Sequence, residues 1–279
     1  MAKKPIYGEC AICGQHTALT YEHVPPKSVF NHSPTKLIKG MEAIKSLADD
    51  RRPWEISDLK GTIQQQGRGG YYLCRECNEN TGSWYVPFFE EFSKGVLSTL
   101  ISDPDLLNAP AIHITADRIR PLPVFKQIMV MFCDINRGCF GDKNLRDFLM
   151  QKDSQVPFDS KKYRVFCYIA KGPIWRSNPF SVHLLGSKGN PQICLQLSEI
   201  AGVPLGFVLY WDMPESYHPK GCDITVFANY RYKDDVPCEM ELPVLESNII
   251  FSGDYRTKEE IEKTMEQSKI AMEKLGLHP

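Results

Sequence analysis

Two Cys-x-x-Cys pairs are the residues of this chain whose types and spacing most directly suggest chemistry. They are Cys10 with Cys13 and Cys74 with Cys77, and 60 residues separate the pairs. Each Cys-x-x-Cys turn can direct two thiolates at one ion, and two turns complete a tetrahedral four-sulfur zinc site. Gly14 permits a sharp turn after the first pair. A redox Cys-x-x-Cys would not explain two copies, so we predict a structural zinc.

The other six cysteines are scattered among apolar or strand-like neighbours. Single buried cysteines behave as small hydrophobic residues, so we predict that these six belong to the core. They are Cys133, Cys139, Cys167, Cys194, Cys222 and Cys238.

A carboxylate, an imidazole and an amide lie close to the cysteine pairs in the sequence. Glu22 and His23 follow the first pair, and Asn78 comes directly after Cys77. Neighbouring side chains of an extended segment point to opposite faces, so Glu22 and His23 can have different partners. Carboxylate and amide oxygens suit Mg²⁺, and a neutral imidazole is a natural base near pH 7. The simpler alternatives are a surface carboxylate, a packed histidine and, for Asn78, a helix N-cap.

Together these motifs resemble those of the HNH, or ββα-metal, endonucleases that carry a four-cysteine zinc. The matching order is Cys-x-x-Cys, then an acidic residue and His followed by Pro, then Cys-x-x-Cys-Asn. The segment 21–30 is similar to the family's first strand and loop, and 69–85 is similar to its second strand, zinc turn and helix start. The resemblance covers about residues 6–95 and extends to endonuclease VII and to HNH proteins found beside bacterial anti-phage genes.

The resemblance implies a role for each matching residue. His23 would be the general base that activates water, and Glu22 and Asn78 would bind a catalytic Mg²⁺ or Mn²⁺. The four cysteines would hold zinc away from the reaction. The divalent ion would stabilise negative charge on the phosphate and the leaving 3′ oxygen. The implied activity is phosphodiester hydrolysis, with DNA as the expected substrate and a 5′ phosphate as product.

The sequence departs from the family pattern at two positions. Glu22 stands where the family more often has Asp, and the extra methylene moves the carboxylate by about one bond length, which can retune metal choice. Gly69 stands where many HNH proteins have an Asn that braces the loop. We expect Asn31, Asn80 or main-chain groups to brace the loop instead.

The segment between the zinc pairs is basic, although the whole chain is not. Residues 27–75 contain nine Lys or Arg and five Asp or Glu, whereas the chain has a net charge of −1. Basic side chains, with Trp54 available for stacking, can contact a phosphate backbone. A solvated loop is the alternative. The candidate nucleic-acid contacts are Lys27, Arg51, Arg52, Lys60, Arg68 and Arg75.

The chain divides by character near a helix-stopping Ser-Asp-Pro-Asp sequence at 102–105. We predict an HNH module at 1–100 with a basic insert at 34–70, followed by an α+β domain at 105–279 with a mostly antiparallel sheet. The second domain has no catalytic motif, and we expect it to bind a partner protein or respond to a signal. We predict helices at 37–47, 86–100, 122–134, 142–151 and 255–275, strands at 163–170, 180–185, 192–197, 206–211, 223–230 and 239–244, and an exposed polar loop at 49–70.

The composition of the 279 residues, 42% apolar and 24% charged, is that of a globular protein. No apolar run reaches the roughly 18 residues of a membrane span, and no apolar signal region follows the first lysines, so we expect a cytoplasmic protein without a membrane partner. The near-zero net charge argues against a general DNA-coating protein. The main hypothesis is therefore a defence-associated nuclease recruited or activated by a partner. The alternatives are a catalytically silent zinc adaptor for nucleic acid or protein, and a zinc-stabilised protein with a small-molecule pocket in its second half.

Overall fold

The computed structural model describes residues 4–47, 51–153, 156–187 and 190–274. The helices of these residues are α1 Gly40–Leu47, α2 Arg75–Ser102, α3 Pro121–Asn136, α4 Lys143–Met150 and α5 Lys258–Lys274. The strands are β1 Ile6–Glu9, β2 His16–His23, β3 Thr35–Ile38, β4 Gly61–Gln64, β5 Gly69–Cys74, β6 Ala111–Ile119, β7 Tyr163–Lys171, β8 Arg176–Ser187, β9 Asn190–Gly202, β10 Leu205–Trp211, β11 Cys222–Asp223 and β12 Val236–Glu246.

The N-terminal part is built on a three-stranded antiparallel sheet with the order β1-β2-β5. The pairing of β2 with β5 places His23 opposite Gly69 and Glu22 opposite Gly70. A Cβ atom on Gly69 would lie 2.1 Å from the main-chain oxygen of Glu22, so only glycine fits at this crossing. Helix α2 begins directly after β5, and its N-cap is Cys74, whose sulfur accepts from the Cys77 amide. The strand pair and the helix that follows it therefore place the second cysteine pair at a strand-to-helix turn.

The second part contains a larger sheet with the order β6-β12-β7-β10-β9-β8, and β11 pairs with β7. The β12–β7 pair is parallel, and the other strand pairs of this sheet are antiparallel. Every residue of β10 is buried, which fits a strand at the middle of a sheet covered on both faces. The predicted mixed α+β class with a mostly antiparallel sheet is confirmed.

Helix α3 forms the centre of the core, because residues 121–134 are all buried. Pro121 occupies the first turn of this helix, where proline is well tolerated, and Arg137 caps its end in the left-handed conformation with φ 57°. One hydrophobic cluster includes Leu73 from β5, Phe125 from α3 and Phe207 from the large sheet. The predicted boundary at 100–105 lies between two halves that share this core.

Three local predictions were wrong, and strand β6 was missed. The predicted helix 37–47 begins only at Gly40, because Thr35–Ile38 pairs with Gly61–Gln64 as a hairpin. The same pairing means that the predicted loop 49–70 contains a strand, while residues 48–50 lie outside the described part. The predicted strand 223–230 is a two-residue strand followed by a 3₁₀ turn at Thr225–Asn229, and β6 was not predicted. In each case long-range pairing decides the local structure.

Three of the six remaining cysteines are buried as predicted, namely Cys133, Cys139 and Cys167. Cys222 and Cys238 are half-buried, and Cys194 is exposed on β9, so the prediction is wrong for Cys194. Among the described residues, no helix has the length and apolar character needed to cross a membrane.

Candidate metal and catalytic centre

The four cysteines of the two Cys-x-x-Cys pairs converge in the structure. The sulfur atoms of Cys10, Cys13, Cys74 and Cys77 all lie within 4.8 Å of one another, and those of Cys13 and Cys74 are 3.9 Å apart. Tetrahedral zinc with Zn–S bonds of about 2.3 Å requires sulfur–sulfur distances of about 3.8 Å. The donor set and its spacing fit a structural metal such as zinc, with two ligands from the turn after β1 and two from the start of α2.

The electrostatics of this cluster also favour a cation. A hydrogen bond from Cys77 lowers the pKa of Cys10 to about 4, whereas burial raises the pKa of Cys13 to about 11. The hydrogen bond to Cys10 raises the pKa of Cys77. Cys10 is therefore the thiol of the cluster that ionises most readily, and a divalent metal that replaces the protons of the other thiols would offset part of the negative charge of the four thiolates.

Glu22 and Asn78 come together on the α2 side of β2. The Asn78 amide lies close enough to the Glu22 carboxyl to lower its pKa, and its Nδ2 donates to Thr20 Oγ1 at 2.9 Å. The Thr20 hydroxyl donates onward to the Leu73 carbonyl at 2.9 Å, which fixes the amide with Nδ2 toward Thr20. Gly82 lies beside Asn78, and a Cβ atom added to Gly82 would be 3.8 Å from Asn78 Oδ1. The amide nitrogen of Asn78 therefore faces Thr20 and Glu22, and the amide oxygen lies on the Gly82 side.

Burial raises the pKa of Glu22 to about 7, although the Asn78 hydrogen bond acts in the opposite direction. A cation stabilises a buried carboxylate more than an exposed one, because burial disfavours the ionised form. The cation takes the place of the proton and neutralises the carboxylate charge. Of this pair, the Glu22 carboxyl is therefore the group that a cation would stabilise directly.

His23 lies on the opposite face of β2 from Glu22. Its ring contacts Tyr21 edge-on at 5.0 Å between centroids, and Nε2 lies 3.0 Å from the Gln66 main-chain oxygen. A carbonyl can only accept, so Nε2 carries the proton and Nδ1 keeps its lone pair. Burial lowers the pKa of His23, the hydrogen bond to the Gln66 carbonyl acts in the opposite direction, and the charge of Lys27 lowers the pKa further, so that the neutral ring is favoured at pH 7.

Asn31 supplies the brace that the sequence does not provide at Gly69. This residue is 1% exposed and hydrogen-bonds three main-chain groups. Its Nδ2 donates to the oxygens of Pro25 at 2.6 Å and Arg68 at 2.7 Å, and its Oδ1 accepts from the Arg68 amide at 2.6 Å. These bonds connect the loop after His23 to the segment before β5. Of the three expected braces, Asn31 is therefore the one that the structure places here.

Asp134 is a residue near this centre that sequence reasoning missed. Its side chain is fully buried on α3, and neither carboxylate oxygen has a hydrogen-bond partner among the described residues. Burial raises the pKa of Asp134 well above the usual range, and the charges of Glu22 and Cys10 raise it further. A single acid within the apolar stretch of α3 was the signal available in the sequence. The second half of the chain thus places a second carboxyl group near that of Glu22.

The candidate nucleic-acid residues differ in how far they are already engaged. Arg51 pairs with Asp58 at 2.6 Å, Arg52 with Glu262 at 2.9 Å and Arg75 with Glu79 at 2.9 Å. Arg68 is 5% exposed, and Lys27 and Lys60 are exposed. The Trp54 ring, considered for base stacking, has the Lys258 Nζ 5.3 Å from its centroid.

Comparison of the chain with known protein families, with curated proteins and with solved structures finds no match.

Proposed function

We propose that this protein is a zinc-stabilised, metal-dependent HNH endonuclease that hydrolyses phosphodiester bonds, with DNA as the substrate. The observation that carries the proposal is the Glu22–Asn78 pair at the end of β2 and the start of α2, beside the four-cysteine cluster. The orientation of His23 by Gln66 adds a poised base on the neighbouring residue.

The roles of the side chains follow from their chemistry. Glu22 and Asn78 would hold one Mg²⁺ or Mn²⁺ ion, which supplies Lewis-acid stabilisation of the phosphate when bound. His23 takes the proton of the attacking water at Nδ1, while the Gln66 carbonyl holds Nε2–H and stabilises the imidazolium that forms. The cysteine cluster takes no part in the reaction and fixes the turn that presents Asn78.

One observation favours the second candidate function, a catalytically silent zinc adaptor. Alternation along β2 turns His23 away from the face that carries Glu22 and Thr20. A substrate must therefore reach both faces at the end of this strand for a nuclease to work. Asn78 is not the N-cap of α2, the simpler role considered for it, because Cys74 holds that position. In the adaptor, Glu22 and Asn78 would serve only to hold β2 against α2.

The biological setting belongs to the same proposal. The near-zero net charge and the ion pairs of Arg51 and Arg52 leave little basic surface for tight binding of DNA alone. We therefore expect a partner protein or a signal, received through residues 105–279, to recruit or activate the nuclease. An anti-phage defence role is the context that fits such gated cleavage.

A plasmid-nicking assay with purified, zinc-loaded protein tests the proposal. The wild type should convert supercoiled plasmid in Mn²⁺ or Mg²⁺ and stop in EDTA, and Glu22→Gln should lose at least about 100-fold in rate. Glu9→Gln, an exposed acid on the same small sheet, is the matched control and should cleave normally. Equal cleavage by wild type and Glu22→Gln would show that Glu22 is not a ligand of the catalytic metal. The assay is repeated on DNA and RNA with folded protein and with an extract of host cells added as a source of activator. Absence of cleavage under all of these conditions would favour the adaptor.

A further inference from the structure

A cleft of about 700 Å³ lies between the basic insert and the edge of the large sheet. One wall comes from residues 33–40 and Ile56, and the other from residues 173–179 and Ile250. Its volume is in the range of small-molecule sites, and it has both apolar walls and a few polar groups. We call this space the insert cleft; Glu22, His23 and Asn78 do not line it.

Arg68 at the base of the insert cleft is a buried cation without a counter-charge. It is 5% exposed, and its Nη2 donates to the Arg176 carbonyl at 2.9 Å and to the Ser177 hydroxyl, both of which are neutral acceptors. No carboxylate among the described residues forms an ion pair with it. Burial lowers the pKa of Arg68 to about 10, which still leaves the guanidinium charged at pH 7.

The other buried arginine of the cleft, Arg176, differs from Arg68 because it has a carboxylate partner. Arg176 pairs with Glu199 at 3.0 Å, and both side chains are fully buried. The Glu199 oxygens also accept from the Tyr168 hydroxyl and the Gly253 amide, so this carboxylate is already saturated. Glu199 therefore cannot neutralise Arg68. A buried charge without a partner is costly, which makes Arg68 a strong site for an anion.

The remaining residues of the insert cleft add positive charge and hold Arg68 in place. Lys36 stands on the exposed rim, and its Nζ donates to the Ser57 carbonyl at 2.9 Å. No Asp or Glu is among the described residues that line the cleft. The guanidinium of Arg68 lies over the Trp175 ring at 5.5 Å, which fixes its plane.

We infer that the insert cleft binds a small phosphate-bearing organic molecule. The two hydrogens of Arg68 Nη2 are taken by the Arg176 carbonyl and the Ser177 hydroxyl. Nε and Nη1 form no hydrogen bond with the described residues, and each can donate separately to a charged phosphate oxygen. Lys36 supplies a second positive charge, which suits a dianion better than a carboxylate. The apolar walls take the organic part. This inference does not depend on the proposed nuclease activity, because binding alone tests it.

Isothermal titration of the full-length, zinc-loaded chain tests the inference with two probes, inorganic pyrophosphate and ADP. Both should bind with one molecule per chain, and ADP should bind more tightly because its nucleoside can use the apolar walls. Adenosine, which lacks the phosphate, should bind at least about 10-fold more weakly than ADP. Failure of both phosphate probes to bind at millimolar concentration would overturn the inference.

Variants assign the binding to the insert cleft. Arg68→Met should weaken ADP binding by at least about 10-fold, while Arg231→Met, which removes an exposed arginine elsewhere, should leave it unchanged. Circular dichroism checks that Arg68→Met is folded; if it is not, Lys36→Gln at the exposed rim decides, with an expected weakening of several-fold. Unchanged ADP affinity in the folded Arg68→Met protein, or in Lys36→Gln where that variant decides, would overturn the inference. A short single-stranded oligonucleotide is also tested as a competitor of ADP at the same phosphate concentration. If it displaces ADP as well as unlabelled ADP does, the cleft is a nucleic-acid site and the inference is overturned.

Discussion

The Nε2 atom of His23 lies 3.0 Å from the main-chain oxygen of Gln66, which is 43 residues away in the sequence. This contact is made possible by Asn31, which binds the oxygens of Pro25 and Arg68 and so holds the two segments together. The carbonyl fixes the tautomer of the imidazole, because it can accept only from Nε2–H. The ring therefore has Nδ1 free to act as a base. The contacts that orient the ring join residues far apart in the sequence.

Replacement of His23 by Ala should lower metal-dependent plasmid cleavage by at least about 100-fold, the usual contribution of a positioned general base. The physical reason is the loss of Nδ1 as the proton acceptor for water. Initial rates in Mn²⁺ measure the effect, and His16→Ala provides the control because His16 is an exposed histidine at the other end of the same strand. Equal rates for wild type and His23→Ala would end the assignment of His23 as the base.

Removal of one zinc ligand should unfold the N-terminal module. The four sulfurs lie within 4.8 Å of one another, and without a metal no ion joins the turn after β1 to the start of α2. We expect one zinc per chain by atomic emission, and a loss of zinc together with a lower thermal midpoint in Cys77→Ser. Cys194→Ser, which changes an exposed cysteine, should retain zinc and the wild-type midpoint. A Cys77→Ser protein with full zinc content would show that the cluster is not the metal site.

Gly69 and Gly95 should respond in opposite ways to the same substitution. A Cβ on Gly69 would lie 2.1 Å from the Glu22 carbonyl oxygen, a main-chain atom that cannot move without breaking the β2–β5 pairing. Gly69→Ala should therefore lower the free energy of unfolding by about 2 kcal/mol or more, as expected for severe overpacking. A Cβ on Gly95, within α2, would meet no atom within 4 Å, so Gly95→Ala should raise the free energy by about 0.5–1 kcal/mol. Urea titration of both variants measures the difference, and a neutral Gly69→Ala would contradict the close crossing of β2 and β5.

Local patterns in the sequence were enough to predict the zinc ligands and several of the helices. The two Cys-x-x-Cys pairs brought their sulfurs together as expected, and helices α3 and α4 cover the predicted apolar spacings. Helix periodicity and the spacing inside each cysteine pair depend on residues that are close in the sequence, so a sequence pattern indicates them. The expectation that Glu22 and Asn78 act together came from the resemblance to the HNH family and not from local spacing.

The rest depends on contacts that the sequence pattern does not record. Strand β3 pairs with β4 across 23 residues or more, and this pairing overrides the helical spacing of Leu37 and Ile38. Asn31 was only one of three options for the brace, since the choice depends on which loop approaches Arg68. Asp134 appeared as part of an apolar helix, and its proximity to Glu22 arises from packing of α3 against the N-terminal module.

Asn31→Ala should destabilise the loop that follows His23. The substitution removes three hydrogen bonds and leaves the oxygens of Pro25 and Arg68 without their buried donor. An unsatisfied buried group costs about 1–3 kcal/mol, so we expect a loss of at least about 2 kcal/mol in the free energy of unfolding. Hydrogen exchange should increase at residues 24–30 and 66–69. His32→Ala, at the exposed neighbouring position, should change neither measurement, and a stable Asn31→Ala protein would exclude the bracing role.

Lys126 should give the protein a measurable dependence of stability on pH above neutrality. Its side chain is fully buried, with Nζ 2.6 Å from the Gln151 carbonyl and 4.4 Å from the Phe148 ring centre. Burial lowers its pKa to about 7, whereas an unfolded lysine has a pKa of about 10.4. Between these values the unfolded state binds a proton that the folded state has lost. The contribution of Lys126 to the free energy of unfolding therefore rises with pH from about 7 to about 10, by up to ~1.4 kcal/mol per pH unit, and is constant below pH 6.

Substitution by Met isolates this contribution, because Met keeps a similar length and has no charge. The free energies of unfolding of wild type and Lys126→Met are compared by urea titration at pH 6, 7, 8 and 9. At pH 7 we expect the variant to be the more stable protein, since the wild type loses free energy by placing an amine in an apolar site. The difference should shrink steadily as the pH rises, because only the wild type gains from the release of the proton. Lys143→Met, which changes an exposed lysine at the start of α4, should run parallel to the wild type throughout. A difference between wild type and Lys126→Met that is independent of pH would show that the amine stays protonated in the folded protein.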